Sequence, residues 1–226
     1  MALLSDLVTV CAEQRLDSAA TLNVFARRLR EAGRLSKAGR GRGAAHMTYL
    51  DASRFLIAAA ATDHPEQASD AEFVFSNLVR STEESFDGDF PMTKKDAPTL
   101  DVALAKTLEA LGNGSIDAVA RQRWKEEHPQ VHTRVPAPAF VWLHVPRGGG
   151  AAALRLLDGR YHYEHPSLRA VVQSAKIGGY PAQKLATEAF ERETHRFRTA
   201  KNLTAELRGE LLRAVAKLIA GADASA

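Results

Sequence analysis

Apolar residues recur at helical spacing from the third position of the chain onward. Leu3, Leu4, Leu7, Val8 and Cys11 share a face, with Ser5 and Asp6 near the start, and predict a helix over 3–14. Arg15 to Ser18 interrupts the pattern, and Asp17 or Ser18 is placed to cap a second helix by accepting its free amide protons. Leu22, Phe25, Ala26 and Leu29 then lie on one face of a helix over about 18–32, which Gly33 is suited to end in the left-handed conformation. Thr48 with Asp51 resembles a capping box for a third helix over 49–61, where Leu50, Phe55, Leu56 and Ala59 supply apolar contacts. Ser69 with Glu72 makes a second box ahead of Phe73, Phe75, Leu78 and Val79, and predicts a helix over 69–80.

Beyond this point the pattern changes character. Residues 81–98 are polar, acidic and hold Pro91 and Pro98, which reads as a loop and hinge. Helices over 99–111 and 115–127 flank the turn Gly112-Asn113-Gly114. A proline-punctuated stretch leads to strand formers at 140–145, a turn at 146–150, a second strand at 152–157 and a third at 160–164, with Asp158-Gly159 as the hairpin dipeptide. Helices over 167–177, 181–200 and 203–220 follow. The predicted fold is mainly α with a small antiparallel β-sheet in its C-terminal part, in three regions: 1–62, a helical connection over 63–130, and 131–226 for oligomerisation or partner binding.

Composition narrows the class. A hydrophobic content of 45% suits a globular chain. No run of eighteen uncharged apolar residues exists, so no membrane span is expected. The first ten residues lack a basic leader and carry Asp6, which argues against a signal peptide. A single cysteine, Cys11, excludes an intrachain disulfide and points to a buried thiol and a cytoplasmic location. The net charge of +3 hides an asymmetry: residues 1–62 hold nine Lys/Arg against five Asp/Glu, residues 63–110 four against eleven, and residues 121–226 seventeen against ten.

The cations of the first region are clustered. Arg27, Arg28, Arg30, Arg34, Lys37, Arg40 and Arg42 fall within sixteen residues, opposed only by Glu31. Neutralising phosphates releases counterions, so such a cluster favours nucleic acid. With Leu22, Phe25, Ala26 and Leu29 facing inward, the second helix turns Ala20, Asn23, Val24 and Arg27 outward, flanked by Arg28. Short residues at its start, Ser18 and Thr21 among them, suit entry into a major groove. Arg34, Lys37, Arg40 and Arg42 are then the candidate phosphate contacts. Helix, short turn, helix, Gly-Arg-Gly-Arg-Gly loop, Thr-x-x-Asp helix: over about 5–60 this order resembles winged helix-turn-helix proteins of phage and prophage regulator type. The turn carries Arg15 and Leu16 where that motif usually has glycine. The resemblance implies that the second helix reads bases, that a basic wing grips phosphate, and that the protein works on double-stranded DNA as a homo-oligomer, a dimer before others.

Other constellations are weaker. His128 and His132 have Pro129 between them, and His162 and His165 do not share a strand face, so no metal site is expected. Gly148-Gly149-Gly150 completes no phosphate-binding motif, and Glu83, Glu84, Asp87 and Asp89 read as a solvated linker. No catalytic residue or cofactor is assigned. The leading expectation is a sequence-specific regulator; a DNA-packaging or recombination accessory protein, such as a small terminase subunit, is the alternative. A third reading makes the C-terminal sheet an enzyme or ligand module with a pocket lined by Trp142, His144, Tyr161 and His162. The apolar stripe Leu207, Leu211, Leu212, Val215, Leu218, Ile219 reads as core, with a dimer seam as the other use.

Overall fold

The computed structural model describes residues 2–36, 45–81, 85–86, 88, 90, 92–130, 138–148, 150–177, 179–198 and 203–221. In chain order the elements are α1 (Leu4–Glu13), α2 (Ala19–Glu31), α3 (Tyr49–Ala61), α4 (Ala68–Ser76), β1 (Val79–Arg80), α5 (Leu100–Gly112), α6 (Ser115–Glu127), β2 (Val141–Pro146), β3 (Ala151–Leu156), β4 (Gly159–Glu164), α7 (Pro166–Ile177), α8 (Gly179–Thr194), β5 (Thr204–Arg208) and α9 (Gly209–Ala220). The fold is mainly helical, with one small antiparallel sheet of strand order β1-β4-β3-β2-β5.

The centre of the helical layer is α3. Ala52, Phe55, Leu56, Ile57, Ala58, Ala60 and Ala61 are buried on every side of it, and a helix that is apolar all round has to be surrounded. It is enclosed by α2, α4, α5, α9 and the inner face of the sheet at β2 and β5. Leu7 and Cys11 of α1, Leu104 of α5, Leu154 of β3 and Val215 of α9 all belong to this one apolar cluster. The first 62 residues are therefore not packed apart from the rest. Leu211, Leu212, Val215 and Ala216 are buried against this core, so the apolar stripe of α9 is used within the chain.

Period-two alternation separates the faces of the sheet. Val141, Leu143 and Val145 of β2, Leu154 and Leu156 of β3, Tyr161 and Tyr163 of β4, and Leu207 of β5 point to the core. The two tyrosines bury their rings and donate their hydroxyls to the carbonyls of Phe90 (2.7 Å) and Ala97 (3.2 Å). The described residues of the stretch expected as a loop and hinge are thus tied to β4 at several points, Phe86 also exchanging both backbone hydrogen bonds with Arg160.

Five expectations are corrected. The helix expected over 69–80 ends at Ser76, and Val79-Arg80 joins the sheet against β4. Its capping box does not form: Gln67 is the N-cap, and Glu72 is turned inward. The helix expected over 203–220 is a strand followed by a helix. Helix-forming residue types disguise an alternation in which Ala205 and Leu207 face in while Thr204, Glu206 and Arg208 face out, and burial at the sheet edge overrides a weak propensity. The β3–β4 hairpin turns at Leu157-Asp158, one residue ahead of the expected Asp158-Gly159, because Leu156 pairs with Gly159. Leu157 takes φ +53° to allow it. A slip of one residue would expel Tyr161 and Tyr163 from the core, so packing outweighs the turn preference. The ends of α8 also differ, at 179 and 194 where 181 and 200 are expected.

Candidate nucleic-acid interface

Both ends of α2 are fixed by defined backbone turns. At its entry, α1 closes with the Leu16 amide donating to the Cys11 carbonyl (3.0 Å) and the Arg15 amide to that of Ala12 (2.9 Å). This pair of bonds is the Schellman closure, which needs a left-handed residue. Arg15 supplies it at φ +58°, where glycine would be unstrained. Ser18 then caps α2, its hydroxyl accepting from the Thr21 amide (3.1 Å), while Asp17 accepts from the Ser18 amide (2.6 Å). At the exit the same closure recurs with Gly33 at φ +71° and the Arg34 amide donating to Leu29 (2.8 Å).

Between these turns α2 buries Leu22, Phe25, Ala26 and Leu29 and exposes Ala20, Asn23, Arg27 and Arg30, with Thr21, Val24 and Arg28 at the flanks. An open groove runs between the start of α1 and this face, lined by Ser5, Asn23, Arg27 and Arg30 among others. Asn23 donates to the Ala19 carbonyl (2.8 Å), and Glu31 lies 3.2 Å from Arg28 and 3.9 Å from Arg27. All of these groups are exposed, so the pairs are weak and exchange readily for other partners. Arg30 forms no ion pair with a described residue.

Arg34 is different from the other candidates. It grips Glu72 with two hydrogen bonds, at 2.5 and 3.0 Å, and Glu72 is fully buried. That bond is the main reason the guanidinium is pushed above its ordinary pKa; desolvation opposes it. The Ser76 hydroxyl donates to Glu72 (2.5 Å), Arg54 approaches it at 3.8 Å, and Arg54 in turn pairs with Asp101 (3.1 Å). Arg34, Glu72, Arg54 and Asp101 thus tie the exit of α2 to α3, α4 and α5. Arg34, unlike Arg27 and Arg30, is thus committed to a network within the fold.

Asp51 is the second organiser. Its carboxylate accepts from the amide and hydroxyl of Ser36 (2.7 and 2.9 Å) and from the amide and hydroxyl of Thr48 (2.9 and 2.7 Å). The capping box of α3 is therefore present, and the same carboxylate fastens both stems of the basic segment. Lys37, Arg40 and Arg42 lie outside the described residues. The described stems, 34–36 and 45–48, form no strand pairing with each other. Asp51 was legible as a cap, but its contact with Ser36 depends on the fold; Glu72 carried no signal, since its spacing from Ser69 suggested a different task.

The ligand-pocket reading of the sheet fails on register. Tyr161 faces the core, whereas Trp142, His144 and His162 lie on the opposite face, so the four line no common pocket. Among the described residues no group of three His, Cys, Asp or Glu side chains converges as metal ligands, and no helix is long and apolar enough to cross a membrane. No known protein family, curated protein or solved structure matches the chain.

Proposed function

We propose that the protein binds double-stranded DNA, with α2 entering the major groove and the cations of the 37–42 segment on the backbone. The observation that carries this reading is a helix fixed at both ends with an exposed polar face, Ser18, Asn23, Arg27 and Arg30, followed in the chain by a glycine-arginine segment whose flanking residues Ser36 and Thr48 are held by Asp51. Small residues at the start of α2 leave room for base edges, and the arginines one and two turns later lie where phosphates flank a groove. Regulation of transcription is the role this reading favours. It includes a second copy of the chain: Val172, Tyr180 and Leu185 of the α7–α8 hairpin remain exposed and offer an apolar contact.

Fluorescence anisotropy with duplex DNA across a salt series tests it. Affinity should fall steeply with salt, with a slope near −0.9 per phosphate contacted. Arg40→Glu with Arg42→Glu should weaken all sequences alike, while Asn23→Ala or Arg27→Ala should change sequence preference. Absence of salt-sensitive duplex binding by the full chain overturns the proposal.

A further inference from the structure

The outer face of the sheet carries a row of side chains for which duplex binding by α2 has no use. Arg160 stands directly opposite Arg155, Arg155 opposite Trp142, and Trp142 opposite Arg208, across four neighbouring strands. Phe86, bridged to Arg160, extends the row, and Phe140 lies two residues from Trp142 on the same face. Phe86 and Phe140 are 52% and 55% exposed. The next row holds His162, Ala153, His144 and Glu206. Trp142 meets Phe140 on one side and His144 on the other, at 6.4 and 5.3 Å between ring centroids. An open groove of about 450 Å³ lies beside Phe140 and Trp142, lined also by Pro138, Glu206, Arg208, Glu210 and Arg213.

Two features of this face run against stability. Large aromatic side chains are left in water, and two arginines sit directly opposite each other, an arrangement that repels. Arg155, Arg160 and Arg208 form no ion pair with any described carboxylate. Of the described acids nearby, Asp158 pairs with Arg123 at 3.1 Å, Glu206 lies 3.8 Å from His144 in the next row, and Glu206 and Glu210 border the groove. Arg155 instead lies over the Trp142 ring, 5.8 Å from its centroid. Such a face needs a ligand that is both anionic and planar. Duplex DNA does not meet the second requirement, because its bases are stacked inside; an unpaired strand does.

We infer that the outer sheet face is a second nucleic-acid site, specific for single strands. Bases stack on Trp142 and Phe140, one of them reaching the adjoining groove, and Arg155, Arg160 and Arg208 hold the phosphates. The site shares no residue with α2, so it stands or falls apart from the duplex reading.

The test uses the full chain and three labelled probes of roughly 12 nucleotides, within the span one such platform covers: oligo(dT), oligo(rU) and a DNA duplex. Trp142→Ala should weaken single-strand binding about 5- to 140-fold and leave duplex binding unchanged. Arg155→Gln with Arg160→Gln should lower the single-strand salt slope by about 1.4, at roughly 0.7 per phosphate. Arg27→Glu with Arg30→Glu should do the reverse, lowering duplex affinity alone. In a Trp124→Phe background, either strand should quench the Trp142 fluorescence, a readout that does not need the alanine variant to fold. Binding of either strand type with these losses supports the site, and the stronger probe identifies DNA or RNA. No single-strand binding, binding indifferent to Trp142, or a dimer that Trp142→Ala dissociates overturns it.

Discussion

Arg34→Ala separates a structural arginine from a DNA-contacting one. Arg34 gives two hydrogen bonds to Glu72, whose side chain is wholly buried, and is itself only 21% exposed. Removing it leaves the carboxylate with Arg54 at 3.8 Å and the Ser76 hydroxyl. Breaking a buried pair from one side costs about 3–5 kcal/mol. The partial exposure of Arg34 puts this case at the lower end, about 3 kcal/mol. For a chain of this size each kcal/mol moves the melting temperature by about 2–4 °C, so a circular-dichroism melt should fall by roughly 6–12 °C. Arg34→Lys keeps the charge, loses the fork, and should recover only part of that loss. The salt slope for duplex DNA should not change. A variant that melts within about 2 °C of the parent, or one whose slope drops by about 0.9, would refute the assignment of Arg34 to the fold.

Arg15→Gly should raise stability by about 0.5–1 kcal/mol in a urea titration, because the left-handed closure of α1 is strained with a side chain present. Burial pushes the Cys11 thiol up to about 12, so thiol reagents at pH 8 should label it only as fast as the chain unfolds globally. His165 is held below the ordinary histidine pKa by burial, against the pull of Glu193 at 3.1 Å. The unfolded chain therefore binds that proton first. Stability from this site is complete above about pH 6.5 and declines as the pH falls toward the folded value, and His165→Gln should flatten that limb of the pH–melting curve. Arg160→Glu should create a cross-strand pair with Arg155, stabilise the sheet by about 0.2–1 kcal/mol, and weaken single-strand binding in the anisotropy assay.

What was legible in the sequence was local. Ser18 and Thr48 announced their caps, Gly33 its turn, and α1, α2, α3 and α6 their bounds, because apolar spacing and capping chemistry act within a few residues. What was hidden depends on contacts far along the chain. Val79-Arg80 continues the apolar spacing of a helix and residues 204–208 look helical by residue type, and both become strands where β4 and β2 offer them open edges. The cation cluster was visible, but not its division: Arg34 is separated from Arg27 and Arg30 by Glu72, thirty-eight residues away from it. The row Arg160, Arg155, Trp142, Arg208 is likewise invisible until strand order and register are known.

The position of α9 in the core sets an order of events during synthesis. The apolar faces of α3 and α5 close only when Leu212 and Val215 arrive, about a hundred residues after α5 has been made. At a translation rate of roughly 5–20 residues per second, that interval lasts about 5–20 s. For that time the nascent helices hold an unfilled seam and the meander β2-β3-β4 lacks its β5 edge. A cut ahead of residue 209 would leave the apolar faces of α3 and α5 open, and the fragment is expected to aggregate rather than fold.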